Sequence, residues 1–142
     1  MAGPAMAVAF TPVSTHAWFR VLATLPVDEG ECHATTLSDE PLAGWRQVWL
    51  VLGDGISGLR VITAMYDPTG QPGMISDLVA TDSGHRQESV GARFESDGRI
   101  HGTHWVTDGE HHTPRPITEG EADALRELAT TLRQRCASDY AA

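Results

Sequence analysis

The sequence predicts an α+β domain in which an antiparallel meander of about five strands carries an N-terminal and a C-terminal helix on one face. Two observations support this class. Between residues 46 and 107, short segments rich in Val, Ile, Leu and Trp alternate with turns rich in Gly, Pro, Asp and Ser. At each end of the chain, apolar residues recur at helical spacing instead. The 142 residues match a common size for one domain, so we expect a single domain over 1–142, in which 1–13 form a loose arm.

A first helix is expected over residues 15–25, THAWFRVLATL. Its apolar residues recur at intervals of about one helical turn: Trp18, Val21, Leu22 and Leu25. Pro26 ends the pattern because proline cannot donate the backbone hydrogen bond that a continuing helix needs. Residues 27–44 contain Gly, Ser, Pro and several carboxylates, and they indicate a loop.

The strands follow, with boundaries set by the turn residues between them. We expect them over 46–52, 59–66, 74–81, 88–95 and 99–107. Asp97-Gly98 suits a two-residue hairpin turn. Such a turn pairs Phe94 with His101 and Val90 with Trp105, and side chains directly opposite each other share a face. This register predicts that Phe94, His101 and Trp105 all point toward the core.

The C-terminal segment carries a helix start signal followed by helical periodicity. Thr118-Glu119-Gly120-Glu121 is a capping box, in which Thr118 and Glu121 each accept a backbone N–H of the other. An apolar stripe comes next: Leu125, Leu128, Ala129, Leu132 and Cys136. The stripe predicts an amphipathic helix that packs on the sheet.

Residues 53–58, GDGISG, spell the glycine pattern of dinucleotide-binding turns. In such a turn a helix follows the glycines, because the free N–H groups at its N-terminus hold the pyrophosphate. The residues that follow here are LRVITAMY, and the run Val61-Ile62-Thr63 favours a strand. We therefore interpret the motif as the connection of a β-hairpin, and we expect no nucleotide and no other cofactor.

Net charge and cysteine content limit the kinds of partner and the cellular compartment that we expect. The chain has 10 basic residues against 19 acidic ones, a formal net charge of −9. Such a surface repels nucleic acid and attracts basic proteins, and no stretch approaches the roughly 20 apolar residues that span a bilayer. We expect a basic protein partner, with neither nucleic acid nor membrane. Cys32 and Cys136 fit a reducing cytosol at least as well as a disulfide framework, so the expected localisation is cytoplasmic.

The candidate partner-binding residues are five carboxylates and one tryptophan: Asp28, Glu29, Glu31, Asp39, Glu40 and Trp49. The carboxylates fit a basic partner by charge. Trp49 points away from Val48 and Leu50 on a regular strand, so it is available for an interface. A solvated acidic loop and a core tryptophan remain the alternative interpretations.

Two rival functions are also open. One is a small ligand-binding protein or enzyme with a pocket between sheet and helices, lined by Tyr66, Phe94, His101 and Trp105. The other is a His-rich metal-binding domain, suggested by His101, His104, His111 and His112 near Asp108 and Glu110. His101 and His104 point to opposite faces of a strand, and the spacing matches no zinc pattern, so we assign no metal ligand.

The dipeptide Cys32-His33 suggests a thiol nucleophile beside a base. Adjacent residues rarely present both side chains to one point, and no third group that would orient the base is evident. We therefore assign no catalytic residue, and a non-enzymatic protein is favoured.

The segment GWRQVWLVL at residues 44–52, a strand that ends in MYDPTG at residues 65–70, and a late capped helix resemble small bacterial immunity proteins that neutralise a toxin. The resemblance covers about residues 45–82. It implies a non-enzymatic cytosolic protein that acts by stoichiometric contact. We therefore expect a protein-binding domain of the immunity or inhibitor type that blocks a basic partner such as a toxin. The oligomeric state is left open.

Overall fold

The computed structural model describes residues 30–53, 58–81, 86–108 and 111–136. The strands in these ranges are β1 (Glu31–Thr36), β2 (Arg46–Gly53), β3 (Leu59–Tyr66), β4 (Pro72–Thr81), β5 (Arg86–Phe94), β6 (Ile100–Asp108) and β7 (His111–Pro116), and the helix is α1 (Glu119–Arg135). The predicted helix over 15–25, the arm over 1–13, Asp28 and Glu29 lie outside the described residues. No helix among the described residues is long and apolar enough to cross a membrane.

The strands form one antiparallel sheet in chain order, from β1 at one edge to β7 at the other. The antiparallel meander is confirmed, but the predicted number of five strands is wrong, because the described residues form seven. The two strands that the prediction omitted are the edges, ECHATT and HHTPRP, which lack an apolar alternation. Pro114 and Pro116 are tolerated in β7 because an edge strand pairs on one side only.

The glycine motif joins β2 to β3. Gly53 ends β2 with a φ of 98°, and β3 begins at Leu59, directly after Gly58. A Cβ on Gly53 would collide with the carbonyl oxygen of Gly58, so only glycine fits there. Because a strand and not a helix follows the motif, the hairpin interpretation is confirmed.

The β5–β6 hairpin has a loop one residue longer than predicted. The N–H of Glu95 donates to the carbonyl of Arg99 at 2.8 Å, and the N–H of Gly98 donates to the carbonyl of Glu95 at 3.0 Å. The loop is therefore Ser96-Asp97-Gly98, with Gly98 at a φ of 87°. This geometry is the three-residue hairpin loop that carries glycine in the left-handed region.

The longer loop shifts the register of the hairpin. Phe94 pairs with Ile100 and Val90 with His104, not with His101 and Trp105 as predicted. A slip of one residue moves every side chain of a strand to the other face. His104 therefore points toward the core, whereas His101 and Trp105 point away from it.

Helix α1 begins and packs as predicted. Thr118 is its N-cap, the N–H of Glu121 donates to Oγ1 of Thr118 at 3.1 Å, and the N–H of Thr118 donates to Oε1 of Glu121 at 2.9 Å. The whole predicted stripe is buried in the core: Leu125, Leu128, Ala129, Leu132 and Cys136.

The face of the sheet that contacts α1 is called the inner face. There the hydroxyl of Tyr66 on β3 donates to the carbonyl of Ala129 at 2.5 Å. The strands contribute to the core Val48, Leu50, Leu52, Ile62, Ala64, Ile75, Val79, Val90 and Ala92. The opposite side is called the outer face, and the register assigns each strand residue to one side or the other because side chains alternate along a strand.

A disulfide joins Cys32 on β1 to Cys136, the C-cap of α1, across 104 residues of sequence. Beside it, Nη2 of Arg135 donates to the carbonyl of Gly30 at 2.8 Å. Disulfides persist in oxidising compartments and are rare in the cytosol. The sequence left a disulfide open as the alternative to two reduced cysteines, and the structure has the disulfide.

Candidate functional site

The outer face of β2, β3 and β4 carries no charged side chain among the described residues. Its twelve outward positions are Gln47, Trp49, Val51, Gly53, Leu59, Val61, Thr63, Met65, Met74, Ser76, Leu78 and Ala80. A sheet with one face toward water is expected to alternate apolar inside with polar or charged outside. Most of these side chains are half-buried, and Met74 is exposed. An apolar outer face of this extent is typical of an interaction surface.

Charged groups lie instead on the inner face. Arg60 on β3 donates from Nε to Oδ1 of Asp77 at 3.0 Å and from Nη2 to Oδ2 at 2.6 Å. The two residues are 0% and 1% exposed, so this bidentate ion pair is fully enclosed by the core.

The register arranges apolar side chains of the outer face in a row that crosses the strands. Val51 lies opposite Val61, Val61 opposite Leu78, Leu78 opposite Ser89, and Ser89 opposite Trp105. Trp105 is 43% exposed and Met74 is 37% exposed. Among the described residues, these two are the exposed large apolar side chains of the outer face, and they border the half-buried apolar row.

A shallow trough of about 630 Å³ crosses β4, β5 and β6 on the outer face. Its floor consists of Ser76, Gly91 and Thr103, which are consecutive partners in the register. The banks are formed on one side by Met74, Arg93 and His101 and on the other by Ser89 and Trp105.

Gly91 keeps the floor of the trough low. Its φ lies outside the left-handed region, and an added Cβ would come no closer than 3.8 Å to the carbonyl oxygen of Ile75 and to Cβ of Ser76. The fold therefore does not require glycine at this position. Glycine weakens a strand interior, and its presence there is typical of a site that another molecule approaches closely.

Arg93 is exposed on the bank of the trough. The structure describes the side chains of eight arginines. Seven of them have a hydrogen bond, ion pair, ring contact or other electrostatic interaction, as Arg60 has with Asp77, and Arg93 has none to a described residue. No carboxylate lies on the outer face of the described parts of β2–β6. The trough is thus the positive part of the outer face of a chain with net charge −9.

A second group of ionisable side chains lies on the inner face, where α1 begins. Nε2 of His104 lies 2.8 Å from Oε1 of Glu88, and Nδ1 of His104 lies 4.0 Å from Oε2 of Glu121. Arg115 donates from Nη1 and Nη2 to the two oxygens of Glu121 at 2.7 and 3.0 Å. These contacts connect β5, β6 and β7 to the N-terminus of the helix, and we call the four residues the inner polar cluster.

The inner polar cluster is closed to a substrate. Glu88, His104 and Glu121 are at most 4% exposed, and they are bound to one another or to Arg115. Oε2 of Glu88 has no hydrogen-bond partner among the described residues. Within the part of the chain that the structure describes, no three His, Cys, Asp or Glu side chains are placed to hold a metal ion. The arrangement is suited to fixing the helix on the sheet.

The electrostatics of the cluster centre on Glu121. Burial raises the pKa of Glu121, but the hydrogen bonds from Arg115 and from the backbone of Thr118 lower it more, so the pKa lies below its ordinary value of 4.5. The hydrogen bonds to Glu121 raise the pKa of Arg115 in turn.

We expect the stability contributed by Glu121 to be complete above pH 4.5 and to be lost as the pH falls through its lower folded pKa. Arg115→Met removes the interaction that lowers this pKa and leaves the burial, so it should cost about 1–3 kcal/mol at neutral pH. Because the folded pKa of Glu121 then rises toward or above 4.5, the loss of stability that Glu121 contributes on acidification should shrink, and the stability difference between wild type and variant should narrow as the pH falls. Urea unfolding between acid and neutral pH measures both effects, with Arg126→Met as the exposed control. Superimposable pH profiles for wild type and Arg115→Met would contradict the assignment.

The structure separates the acidic candidates for partner binding. Glu31 is exposed at the start of β1, and Asp39 and Glu40 are exposed in the loop beyond its end. At about 3.4 Å per residue, β1 alone is roughly 17 Å long, so these carboxylates do not form one patch. Trp49 lies on the outer face, where its ring centroid is 6.4 Å from that of His33.

The candidates for a ligand pocket also divide between the two faces. Tyr66 and Phe94 point inward, whereas His101 and Trp105 point outward, so the four do not line one pocket. A cleft of about 390 Å³ does lie between the β3–β4 turn and α1, and Tyr66 lines it. The rest of its lining contains no His, Cys, Asp or Glu: Gly70, Gln71, Pro72, Ala129, Thr130, Arg133 and Gln134.

Sequence reasoning missed Arg93 and Gly91 as members of a surface site. A signal was present for Gly91, because it interrupts a strand that the alternation of Val90, Ala92 and Phe94 predicts. No comparable signal exists for Arg93, since its lack of a partner depends on contacts between distant parts of the chain.

Among the described residues, these features define an α+β protein with one antiparallel sheet. A helix packs on its inner face, and its outer face is uncharged over β2–β4, carries Glu31 on the edge strand β1 and is positive at the trough. Comparisons with protein-family models, with curated proteins and with solved structures give no significant match to this chain.

Proposed function

We propose that this chain is a non-enzymatic protein-binding domain whose partner contacts the outer face of the sheet. The observation that carries the proposal is the uncharged outer face of β2–β4, which continues to the exposed Trp105. Trp is among the residues most often found at the energetic centre of protein interfaces, and charged residues are depleted there.

The size of the outer face fits this use. Seven strands about 4.8 Å apart are roughly 29 Å wide, and a strand of eight residues is about 27 Å long. The resulting face of roughly 780 Å² is close to the ~800 Å² that each partner contributes to a standard protein interface. A partner that covers it would therefore bury enough area for a specific complex.

An inhibitor of the immunity type is the form of binding protein we favour. It acts by stoichiometric contact and needs no catalytic group, which agrees with the burial of Glu88, His104 and Glu121 inside the inner polar cluster. The resemblance of residues 45–82 to immunity proteins supports the same class. The proposal differs from the sequence expectation in two respects: the contact surface is the outer face in place of the acidic stretch, and the disulfide favours an oxidising compartment over the cytoplasm.

The test compares two threonine substitutions. Thr63 lies at the centre of the outer face on β3, and Thr130 lies exposed on α1 beside the cleft of Tyr66. Immobilised protein is incubated with native extract, and the stoichiometrically bound protein is identified and quantified. We expect Thr63→Glu to reduce its capture at least about tenfold, because a carboxylate would be buried in the interface, and Thr130→Glu to leave it unchanged.

Equal capture by wild type and Thr63→Glu would contradict the proposal. Loss with Thr130→Glu alone would assign the function to the cleft beside Tyr66 and favour the ligand-pocket alternative. Circular dichroism and thermal unfolding of both variants confirm that the fold is retained.

A further inference from the structure

We propose that the trough on the outer face receives an acidic amphipathic helix of the partner protein, and that Arg93 binds a carboxylate of that helix. The inference rests on the proposed function, because it specifies the chemistry of the partner at the same surface. It replaces the basic partner that net charge alone predicts with an acidic one.

Local charge is the first argument. The chain has net charge −9, so its average surface favours a basic partner. The partner, however, meets the outer face, where no carboxylate lies on the described parts of β2–β6 and where Arg93 and His101 stand side by side in the register. Arg93 is the arginine without a partner among the described side chains. A guanidinium in this state offers a fork of donors that fits a carboxylate in two parallel hydrogen bonds.

The shape of the trough is the second argument. The two banks are rows that lie four residues apart along β5 and β6. One row consists of Met74, Arg93 and His101, and the other of Ser89 and Trp105. At about 3.4 Å per residue the banks are roughly 14 Å apart. The side chains of the two banks occupy part of this distance, so the trough takes the contacting side of an α-helix, which with its side chains is about 10–12 Å in diameter.

Gly91 is the third argument. A side chain at this position would stand on the floor of the trough between the two banks, and the surrounding structure leaves room for one. The absence of that side chain lets the backbone of another molecule come close. Trp105 and Met74, on opposite banks, then contact the apolar stripe of a helix whose acidic side chains reach Arg93.

The probe for the test is a display library of random peptides of about 16 residues, which as helices of about 24 Å nearly span the sheet. The library is selected on immobilised wild-type protein, and enriched peptides are synthesised for titration calorimetry. We expect the enriched sequences to be net acidic, with apolar residues three and four positions apart. Their affinity should fall as salt is raised.

Three variants locate the contact. Arg93→Glu should weaken the enriched peptides at least about tenfold, and Arg93→Lys by less, because lysine keeps the charge but not the fork. Arg126→Glu makes the same change of charge on the exposed surface of α1 and should leave affinity unchanged. Gly91→Val should abolish binding without lowering the thermal unfolding midpoint, because valine suits a strand and its Cβ has room.

Each contrary result has a defined meaning. The inference would be overturned if the enriched peptides are basic or uncharged, or if substitution of Arg93 does not change their affinity. The proposed function would still stand in that case if Thr63→Glu removes their binding. Peptides indifferent to Thr63→Glu as well would overturn both, and a selection that enriches no peptide counts against both. A wild-type dimer that Arg93→Glu dissociates would also overturn the inference, because a second copy of the chain would then occupy the trough.

Discussion

Asp77→Ala is expected to lower the free energy of unfolding by about 3–5 kcal/mol. Asp77 accepts two hydrogen bonds from Arg60, and both residues are excluded from solvent. Its removal deprives the buried Arg60 guanidinium of a carboxylate that accepts two of its hydrogen bonds, and breaking a buried ion pair from one side is costly. Since a domain of this size is stable by about 5–15 kcal/mol in total, the loss is a large fraction.

Urea unfolding measured by tryptophan fluorescence gives the free energies that test this expectation. The matched control is Asp123→Ala, which removes an exposed carboxylate paired with Arg126 on α1 and should cost no more than about 0.5 kcal/mol. The double variant Arg60→Leu/Asp77→Leu removes both charges, so it should recover much of the loss. An Asp77→Ala variant that unfolds within about 1 kcal/mol of wild type would show that the pair is not enclosed as described.

The central strands and the helix were predictable because their signals are local. The strands β2–β6 are short segments with β-branched, apolar or aromatic residues between turn residues, and the capping box of Thr118 and Glu121 lies within four consecutive residues. Strands β1 and β7 have no such signal, since their polar residues are held in the sheet by hydrogen bonds to β2 and β6. Edge strands of this kind are defined by their neighbours, and a local pattern cannot show them.

The register and the orientation of the faces required more than alternation. In β3 the sequence LRVITAMY places Arg60, Ile62 and Ala64 on one side and Leu59, Val61 and Thr63 on the other. Taken alone, the segment favours the side with the arginine as the exposed one. The opposite holds because Asp77, 17 residues away, pairs with Arg60 in the interior. That partnership is non-local, so the uncharged outer face could not be anticipated.

Prediction of the candidate site also succeeded where local periodicity was sufficient and failed where the register of a hairpin decided the orientation. Trp49 was correctly expected to point away from the residues of β2 that form the core, because strand periodicity is sufficient for that step. His101 and Trp105 were assigned to the core, since Asp97-Gly98 suggested a two-residue turn and the actual loop also includes Ser96. One additional loop residue thus converted two outer-face residues into supposed pocket residues.

Removal of the disulfide is expected to cost about 2–5 kcal/mol, with a value near the upper end of that range because the bond closes a long loop. Cys32 and Cys136 are 104 residues apart, so the bond restricts most of the unfolded chain. It also fastens the edge strand β1 to the end of α1, where Arg135 adds a hydrogen bond to Gly30. Cys32→Ala/Cys136→Ala therefore should both destabilise the whole fold and loosen this corner first.

Urea unfolding with and without reductant separates these contributions. Reductant should destabilise the wild type to about the level of the double variant and should leave the variant unchanged. Hydrogen exchange should quicken in β1 and in the last turn of α1 before it does so in the central strands, because those segments lose their covalent link. Arg135→Ala, the control at the same corner, should cost only about 1 kcal/mol and keep the response to reductant. If reductant does not change the unfolding midpoint of the wild type, the two cysteines are not joined in solution. The preference for an oxidising compartment would then lose its basis.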